Sequence, residues 1–403
     1  MEYKEYRFGV KVEWNGGSEV IPLPDTNIAH VVISNDFVKN VMPVIYLSCN
    51  LSKSLLDKMI KGKLESTIIL TIEKFASKST NPGSGVDIDS GEIYFKKEFI
   101  YMLEDDINYQ RDVESNPNDE TPVEKDDVYA KTTIGLLYQK CINNNKNAVV
   151  NSIFNKSSKT DMILFATQHM SDGLLLEPLD NDSVIPSLVV PPSGNVAQLI
   201  KYIDSKSSLY KTPYRFYIDY ERAYLVSSKG VNTQASDETV TTVIFNINNP
   251  LSKDSKLWGN KIDKKSYICE LDAGMTKYYA DSKSDNMFNN IIAIDSMGNK
   301  KETELDVQKI KGSNKRSVII RTDNLDSIEA QKSRIETSQV LLQVIKNDID
   351  SSYITLNKEY QVKNFEGNSE YDGKYILVQK TEIFSKEREQ YKLHLSLLFK
   401  KIS

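Results

Sequence analysis

Cysteine is nearly missing from this chain: three among 403 residues, Cys49, Cys141 and Cys269, far apart and without a CxxC pair. That usage excludes a disulfide framework, argues against a zinc site and fits plain thiols in a reducing compartment. Histidine is as rare, with His30, His169 and His394 scattered along the chain. A lone histidine in a strand is more often structural than catalytic. Arginine, the bidentate reader of phosphates and bases, supplies eight of the 51 basic residues, and the net charge is −5. Sequence-specific nucleic-acid binding is therefore not expected. No run approaches 18 apolar residues, so no membrane span is predicted. The charged start, Met1 to Tyr6, lacks the apolar core of an export signal. GxSxG, HExxH, Walker A and GxGxxG motifs are all missing.

What is present is mostly β pattern. With 39% hydrophobic and 27% charged residues, the chain reads as folded, with room for two to four domains. At the amino end Tyr6, Phe8, Val10, Val12 and Trp14 alternate with Arg7, Gly9, Lys11 and Glu13, the period of a half-buried strand. Asn15 to Gly17 supply a turn. Further strands are predicted over 28–34, 44–49 and 67–75. A short helix is predicted from Ser52 to Lys61, with Leu55, Leu56, Met59 and Ile60 on its apolar side. Ser52 is its N-cap and Gly62 its C′ residue. The carboxyl end is a long hairpin, 374–384 and 390–400, in which Tyr391, Leu393, Leu395, Leu397 and Phe399 alternate with mostly polar neighbours. Two similarly built ends fit either two unrelated β-domains or, in the sharper reading, one duplicated barrel.

The middle divides at two points. Residues 112–127 are acidic, hold two prolines and almost nothing apolar, and read as an exposed linker. Between Ala130 and Phe154, the spacing of Ile134, Leu137 and Cys141, then Val149, Val150, Ile153 and Phe154, predicts two helices broken at Asn143–Asn145. A helix capped by Ser193 follows Pro191–Pro192, with Val196, Leu199, Ile200 and Ile203 as its stripe. Next comes a hairpin, Tyr214–Tyr220 and Arg222–Ser227, dense in aromatics. Tyr210, Tyr214, Phe216, Tyr217, Tyr220 and Tyr224 would suit a sugar- or base-stacking platform, but alternating aromatics more often fill a sheet face. A strand over 239–247, a polar stretch 251–330 and renewed periodicity over 337–345 suggest a small domain inserted into a split sheet.

Candidate chemistry is sparse. Asp87, Asp89 and Glu104–Asp106 give carboxylates without a recognisable aromatic-walled cleft. Pro82–Gly85 is too short and wrongly flanked for phosphate and reads as a turn. No catalytic, cofactor-binding or metal residue is assigned.

The arrangement resembles the hub proteins of phage tail baseplates, the group also called late control protein D, which includes the barrel part of type VI VgrG spikes. The resemblance rests on the domain order over a matching length and on the segment Gly194–Ser227. That segment carries Leu209-Tyr-x-x-Pro213, Phe216–Asp219 and Tyr224–Val226. The closing pattern Tyr371–Leu377, Ile383–Phe384 and the alternating last strand complete it, so it covers essentially the whole chain. It implies a mainly β fold with two tube-type antiparallel β-barrels, an α+β middle domain and an inserted small domain. In those terms residues 1–111 form the first barrel, 112–128 the linker, 129–213 the middle domain, 214–250 with 331–403 the second barrel, and 251–330 the insertion.

It further implies a homotrimer that joins the hexameric tail tube to a threefold central spike, alongside other baseplate proteins. DNA would pass its lumen without specific binding, with no stable membrane insertion, in a virion tail assembled in the host cytoplasm. The lumen wall, or the interfaces beside it, would then draw on strand faces such as those carrying Glu13, Glu73 and Glu382. Some relatives continue into spike or peptidase domains; this sequence stops at Ser403, so those functions are expected on separate chains. The competing readings are a tail-associated cell-wall hydrolase and a carbohydrate- or receptor-binding tail protein.

Overall fold

The computed structural model describes residues 4–14, 17–37, 40–62, 66–76, 92–103, 108–111, 128–146, 153–170, 173–190, 195–220, 222–227, 242–246, 266–270, 277–280, 290–295, 297–305, 317–322, 325, 328–329, 332, 340–347, 354, 356, 358–364, 373–387 and 390–401.

The amino-terminal part contributes β1 (Lys4–Trp14), β2 (Glu19–Leu23), β3 (Ile28–Asp36), β4 (Val44–Ser52), α1 (Lys53–Lys61), β5 (Ser66–Ala76), β6 (Glu92–Leu103), β7 (Asn108–Arg111) and β8 (Val128–Leu137). The alternation in β1 is realised: Tyr6, Phe8, Val10, Val12 and Trp14 are buried, while Arg7, Gly9 and Lys11 face solvent. β1 pairs with β5 along its whole length, from Lys4 opposite Ala76 to Trp14 opposite Ser66. In α1 the Ser52 hydroxyl accepts from Leu55 N, and Leu55, Leu56 and Met59 are buried. Ile60, expected on that apolar side, points outward at 47% exposure. Gly62 follows with φ −99°, so it is not a left-handed cap. Its reason is space, because a Cβ there would lie 2.8 Å from the Trp14 indole nitrogen.

The middle part holds α2 (Gln139–Lys146), β9 (Ile153–Ser157), α3 (Lys159–Thr167), β10 (Leu174–Leu176), β11 (Ile185–Val189), α4 (Val196–Ser207), β12 (Tyr214–Ile218) and β13 (Ala223–Ser227). Val196, Leu199, Ile200 and Ile203 of α4 are all buried, as their spacing requires, together with Met162, Ile163 and Ala166 of α3. Asn195 caps α4 by accepting from Gln198 N at 2.9 Å, whereas Ser193 lies outside the described residues. The remaining strands are β14 (Thr242–Asn246), β15 (Ser266–Glu270), β16 (Lys277–Ala280), β17 (Asn290–Ile294), β18 (Lys300–Glu304), β19 (Ser317–Arg321), β20 (Val340–Asn347), β21 (Glu359–Asn364), β22 (Gly373–Glu387) and β23 (Gln390–Lys401).

The fold is mainly β, and the terminal hairpin organises it. Along β23 the five alternating residues Tyr391, Leu393, Leu395, Leu397 and Phe399 are all buried. Near the hairpin tip, β22 pairs with β3, from Gln379 opposite Asp36 to Ser385 opposite His30, and Tyr391 pairs with Tyr6. The pairings then run β22–β3–β4–β8–β6–β5–β1–β23 and back to β22, a closed ring of antiparallel strands. A ring of eight strands is just wide enough for side chains to fill. Val10, Val12, Val31, Leu47, Ile68, Leu70, Ile134 and Phe384 do so here. At its other end the same hairpin pairs with β21 and β20, and the sheet extends to β14, β15 and β16. One hairpin thus belongs to two strand systems.

Several sequence expectations are corrected. Residues 128–137 form a strand, not a helix: Ala130, Thr132, Ile134 and Leu136 are buried in a period-2 pattern. That period overrides the helical spacing of Ile134, Leu137 and Cys141. The first β-system therefore runs on to Leu137, and β7 pairs with β8 across residues 112–127, so that acidic stretch connects neighbouring strands instead of separate domains. The stretch itself lies outside the described residues. Asn143–Asn145 sit inside α2, where Asn143 accepts from the Gln139 amide and Asn145 accepts from Ala197 N on α4. Ile153 and Phe154 begin a strand. The hairpin 214–227 belongs to the middle part's sheet, β10–β13–β12, and not to the second β-system. Within 251–330, β17, β18 and β19 form their own sheet, but β15 and β16 join the large one. The two β-systems do not share one topology among the described residues, since β14 runs parallel to both β15 and β21.

Candidate interaction surfaces

The residues singled out for chemistry end in structural roles or apart from one another. His30, on β3, places Nε2 3.0 Å from the Ser48 hydroxyl, which is 3.1 Å from the Thr133 hydroxyl, forming a polar ladder across three strands. Burial, then the charge of Lys131, lowers its pKa. His169 is exposed after α3 and His394 is half-buried on β23. Burial pushes the Cys49 and Cys141 thiols up to about 12, so neither is a thiolate near neutrality. Cys269 falls on β15. Among the described residues no three His, Cys, Asp or Glu side chains gather as metal ligands. No described helix is long and apolar enough to cross a membrane. Asp87, Asp89, Glu104–Asp106 and Pro82–Gly85 lie outside the described residues.

The aromatic segment is core. Tyr210, Phe216, Tyr217 and Tyr224 are buried, and Tyr217 stacks on both Phe37 and Tyr224. Tyr210 donates its hydroxyl to Glu177 O at 2.8 Å, tying the helix exit to the sheet. Tyr220, at the hairpin tip, meets Phe95 and Tyr138 edge-to-face and joins the middle part to the ring core. These rings are committed to packing, which leaves the exposed-platform reading without support.

Glu382 is also corrected. It faces into the ring at 4% exposure, accepts from the Tyr94 hydroxyl and pairs with Lys380 at 3.3 Å. A buried carboxylate needs such partners, and it cannot also line an outer wall. Glu13 and Glu73 do face outward, half-buried, opposite Thr67 and Arg7.

Two outward faces carry apolar residues that the alternation pattern alone leaves unassigned. Across the ring, Ile383, Val32, Tyr46, Gly135 and Met102 stand in one transverse row over five strands. Tyr46 and Met102 flank the glycine and are 41% and 51% exposed. In the middle part, α3 buries Met162, Ile163 and Ala166 yet exposes Leu164 and Phe165 on the other side. A helix apolar all round is ordinarily covered on both sides. Beside it the two-stranded ribbon of β9 and β11 exposes Ile153 opposite Val189. Such faces suit assembly better than catalysis.

A mainly β chain with packed interiors and apolar outer faces has the character of an assembly component, and its sequence relationship gives the class. Residues 23–402 match the family of the Bacteriophage PBS1 gene 109 protein, and the chain belongs to that family. No curated protein matches it. Among solved structures it is similar to a tail protein from Neisseria meningitidis MC58, at 12% identity over 98% of this chain and 97% of that one, with a TM-score of 0.48. It is also similar to the 43 kDa tail protein of prophage MuSo2 from Shewanella oneidensis, at 10% identity over 97% and 96%, TM-score 0.46. A Francisella PdpA–VgrG complex matches at 12% identity over 99% of this chain but 58% of that one, TM-score 0.49.

Proposed function

We propose that this protein is the hub of a phage-tail baseplate: a homotrimer joining a hexameric tail tube to a threefold central spike. The observation that carries the reading is the terminal hairpin shared by two β-systems within one chain. Three such chains would present six β-units, of two kinds, to a sixfold partner while keeping a threefold face. Membership of a bacteriophage family and the sequence resemblance to baseplate hubs support it. Because the first ring is filled with side chains, any passage for DNA would lie between subunits, along mixed-charge outer faces of a chain with net charge −5. The reading places the protein in the virion tail, with tube, spike and other baseplate proteins as partners and no catalytic step of its own. Native mass measurement tests it: a particle near three times the 45.8 kDa chain is expected, and a monomer or dimer at micromolar concentration would overturn it. Clearing of purified peptidoglycan by the lone chain, lost on mutating one carboxylate or histidine, would favour the hydrolase reading instead.

A further inference from the structure

Where the ring meets the middle part there is an open cleft of about 790 Å³, lined by residues of β5 and β6 on one side and by the start of α2 on the other. Among the described residues that line it, the charged ones are Lys96, Lys97 and Lys140, with one carboxylate, Glu98. Glu98 already accepts from the Thr67 hydroxyl at 2.8 Å. Lys97 is held over the Tyr138 and Tyr220 rings, 5.6 and 5.5 Å from their centroids, which fixes its ammonium without neutralising it. Gln139 and Asn143, both exposed, add amide groups to the rim. The dipole of α2 adds positive potential at the same end. On a chain with net charge −5, this is a local reversal of sign.

We propose that this cleft is a docking site for an acidic, extended segment of a partner protein, one that brings two or more carboxylates. Charge complementarity selects an anion, and the volume is that of a ligand site for a group much larger than a simple ion. Nucleic acid is the poorer fit. Among the described lining residues there is no arginine fork for phosphate. Of its two aromatic rings, Phe99 is buried and stacks with Phe95, while Tyr138 makes edge contacts with Phe99 and Tyr220 and carries Lys97 over it, so both are engaged in packing and make a poor platform for bases.

The test uses the full-length protein and a fluorescein-labelled peptide of alternating glutamate and glycine, with a labelled single-stranded oligodeoxynucleotide of equal charge alongside. Binding is read by anisotropy at about 25 mM and about 150 mM salt, a range over which screening of exposed charges changes strongly. The peptide is expected to bind at the lower salt, more tightly than the oligonucleotide. The Lys96→Ser/Lys140→Ser variant should weaken it by about tenfold. Lys97 is left in place because it packs on the ring cluster. A control pair on remote exposed lysines, Lys53→Ser/Lys300→Ser, removes the same charge and should change affinity little. Thermal midpoints of both variants are measured in parallel, so that unfolding is not mistaken for lost binding. The proposal is overturned by no peptide binding at the lower salt, by equal effects of the two variants, or by tighter binding of the oligonucleotide that depends on Lys96 and Lys140.

Discussion

Phe384 sits where the terminal hairpin enters the ring, and replacing it with alanine should loosen the ring while sparing the middle part. The ring of Phe384 is fully buried and makes edge contacts with Tyr6 at 5.0 Å, Phe8 at 5.7 Å and Tyr94 at 5.9 Å. Across the sheet it opposes Val31 on β3 and Leu393 on β23. Removing a buried phenylalanine side chain costs about 3–5 kcal/mol in transfer and cavity terms. Three aromatic contacts place this site at the upper end, about 5 kcal/mol. With several cores in one chain, a single unfolding midpoint is a poor measure, so hydrogen exchange resolved by segment is the better assay. A loss of that size speeds exchange governed by opening of the ring by about three and a half orders of magnitude. The acceleration should reach β1, β3 and β23, whereas α4, in a separate core, should change little. Ile383→Ala, one residue away on the outer face, is the control and should cost about 1 kcal/mol. If β1 and β3 in Phe384→Ala exchange no faster than in Ile383→Ala, the account of a hairpin locking the ring is wrong.

Tyr391→Phe should cost about 1–3 kcal/mol, because the buried hydroxyl lies 2.9 Å from Asp25 O and 2.7 Å from Ile28 O and its loss leaves those carbonyls short of a donor. Burial, then the charge of Asp25, raises that phenol's pKa, so wild-type stability falls as pH climbs past 10.0, and Tyr391→Phe should show a shallower alkaline fall in denaturant titrations. Gly62→Ala should lower the thermal midpoint by an amount equivalent to about 1–3 kcal/mol, since its Cβ would meet the Trp14 indole nitrogen at 2.8 Å; an unchanged midpoint would refute the space argument. Lys159 is fully buried and burial lowers its pKa from 10.5 to about 8, so between those values the unfolded chain binds one proton more and stability rises with pH; Cys49 and Cys141, raised from 9.0 to about 12, reverse that slope above 9.0. Urea midpoints between pH 8 and 9 should therefore rise in wild type and stay flat in Lys159→Met, and a rise of equal size in both would reject the assignment.

The strands at both chain ends were legible because each has one buried and one exposed face, so alternation in β1 and β23 marks the side chains that pack. The same logic explains the error over 128–137. There Ile134, Leu137 and Cys141 fall at helical spacing by coincidence, while the packed face of the strand, Ala130, Thr132, Ile134 and Leu136, begins with two residues that a hydrophobic pattern underweights. Strand partners were harder to read than strands. Nothing local says that β22 will pair with β3, almost the whole chain length away, or that β12 and β13 will join β10. The separation of the 112–127 stretch was misread for a related reason: acidic, proline-containing sequence describes a long connection well, but not whether its two ends lie side by side, as Arg111 and Val128 do. The lysine cleft was invisible to sequence because its charges come from β6 and α2, more than forty positions apart.

Glu382 shows how far composition can be carried in arguing for a channel. Its strand alternates polar and apolar residues, and on pattern alone a glutamate in such a strand faces water. A register shift between Leu377 and Gln379 changes which residues of β22 turn inward. Tyr375 and Leu377 are buried before the shift, and Lys380, Glu382 and Phe384 are buried after it, so a lysine and a glutamate enter an otherwise apolar interior together. Their pairing and the Tyr94 hydroxyl make that burial tolerable. On the hub reading, a passage wall would then be built from residues such as Arg7, Lys11 and Glu13 on the outer face of β1 and Glu73 on β5, a mixture of both signs. With Arg7 facing Glu73 across the strands and Lys11 beside Glu13 along β1, such a face would hold phosphate weakly, so a weakly interacting wall needs no excess of acid. Replacing Glu13 and Glu73 by lysine would unbalance it. Retention of single-stranded DNA by the assembled particle at about 150 mM salt is expected only after that change, and retention by the wild-type protein under the same conditions would reject this placement of the wall.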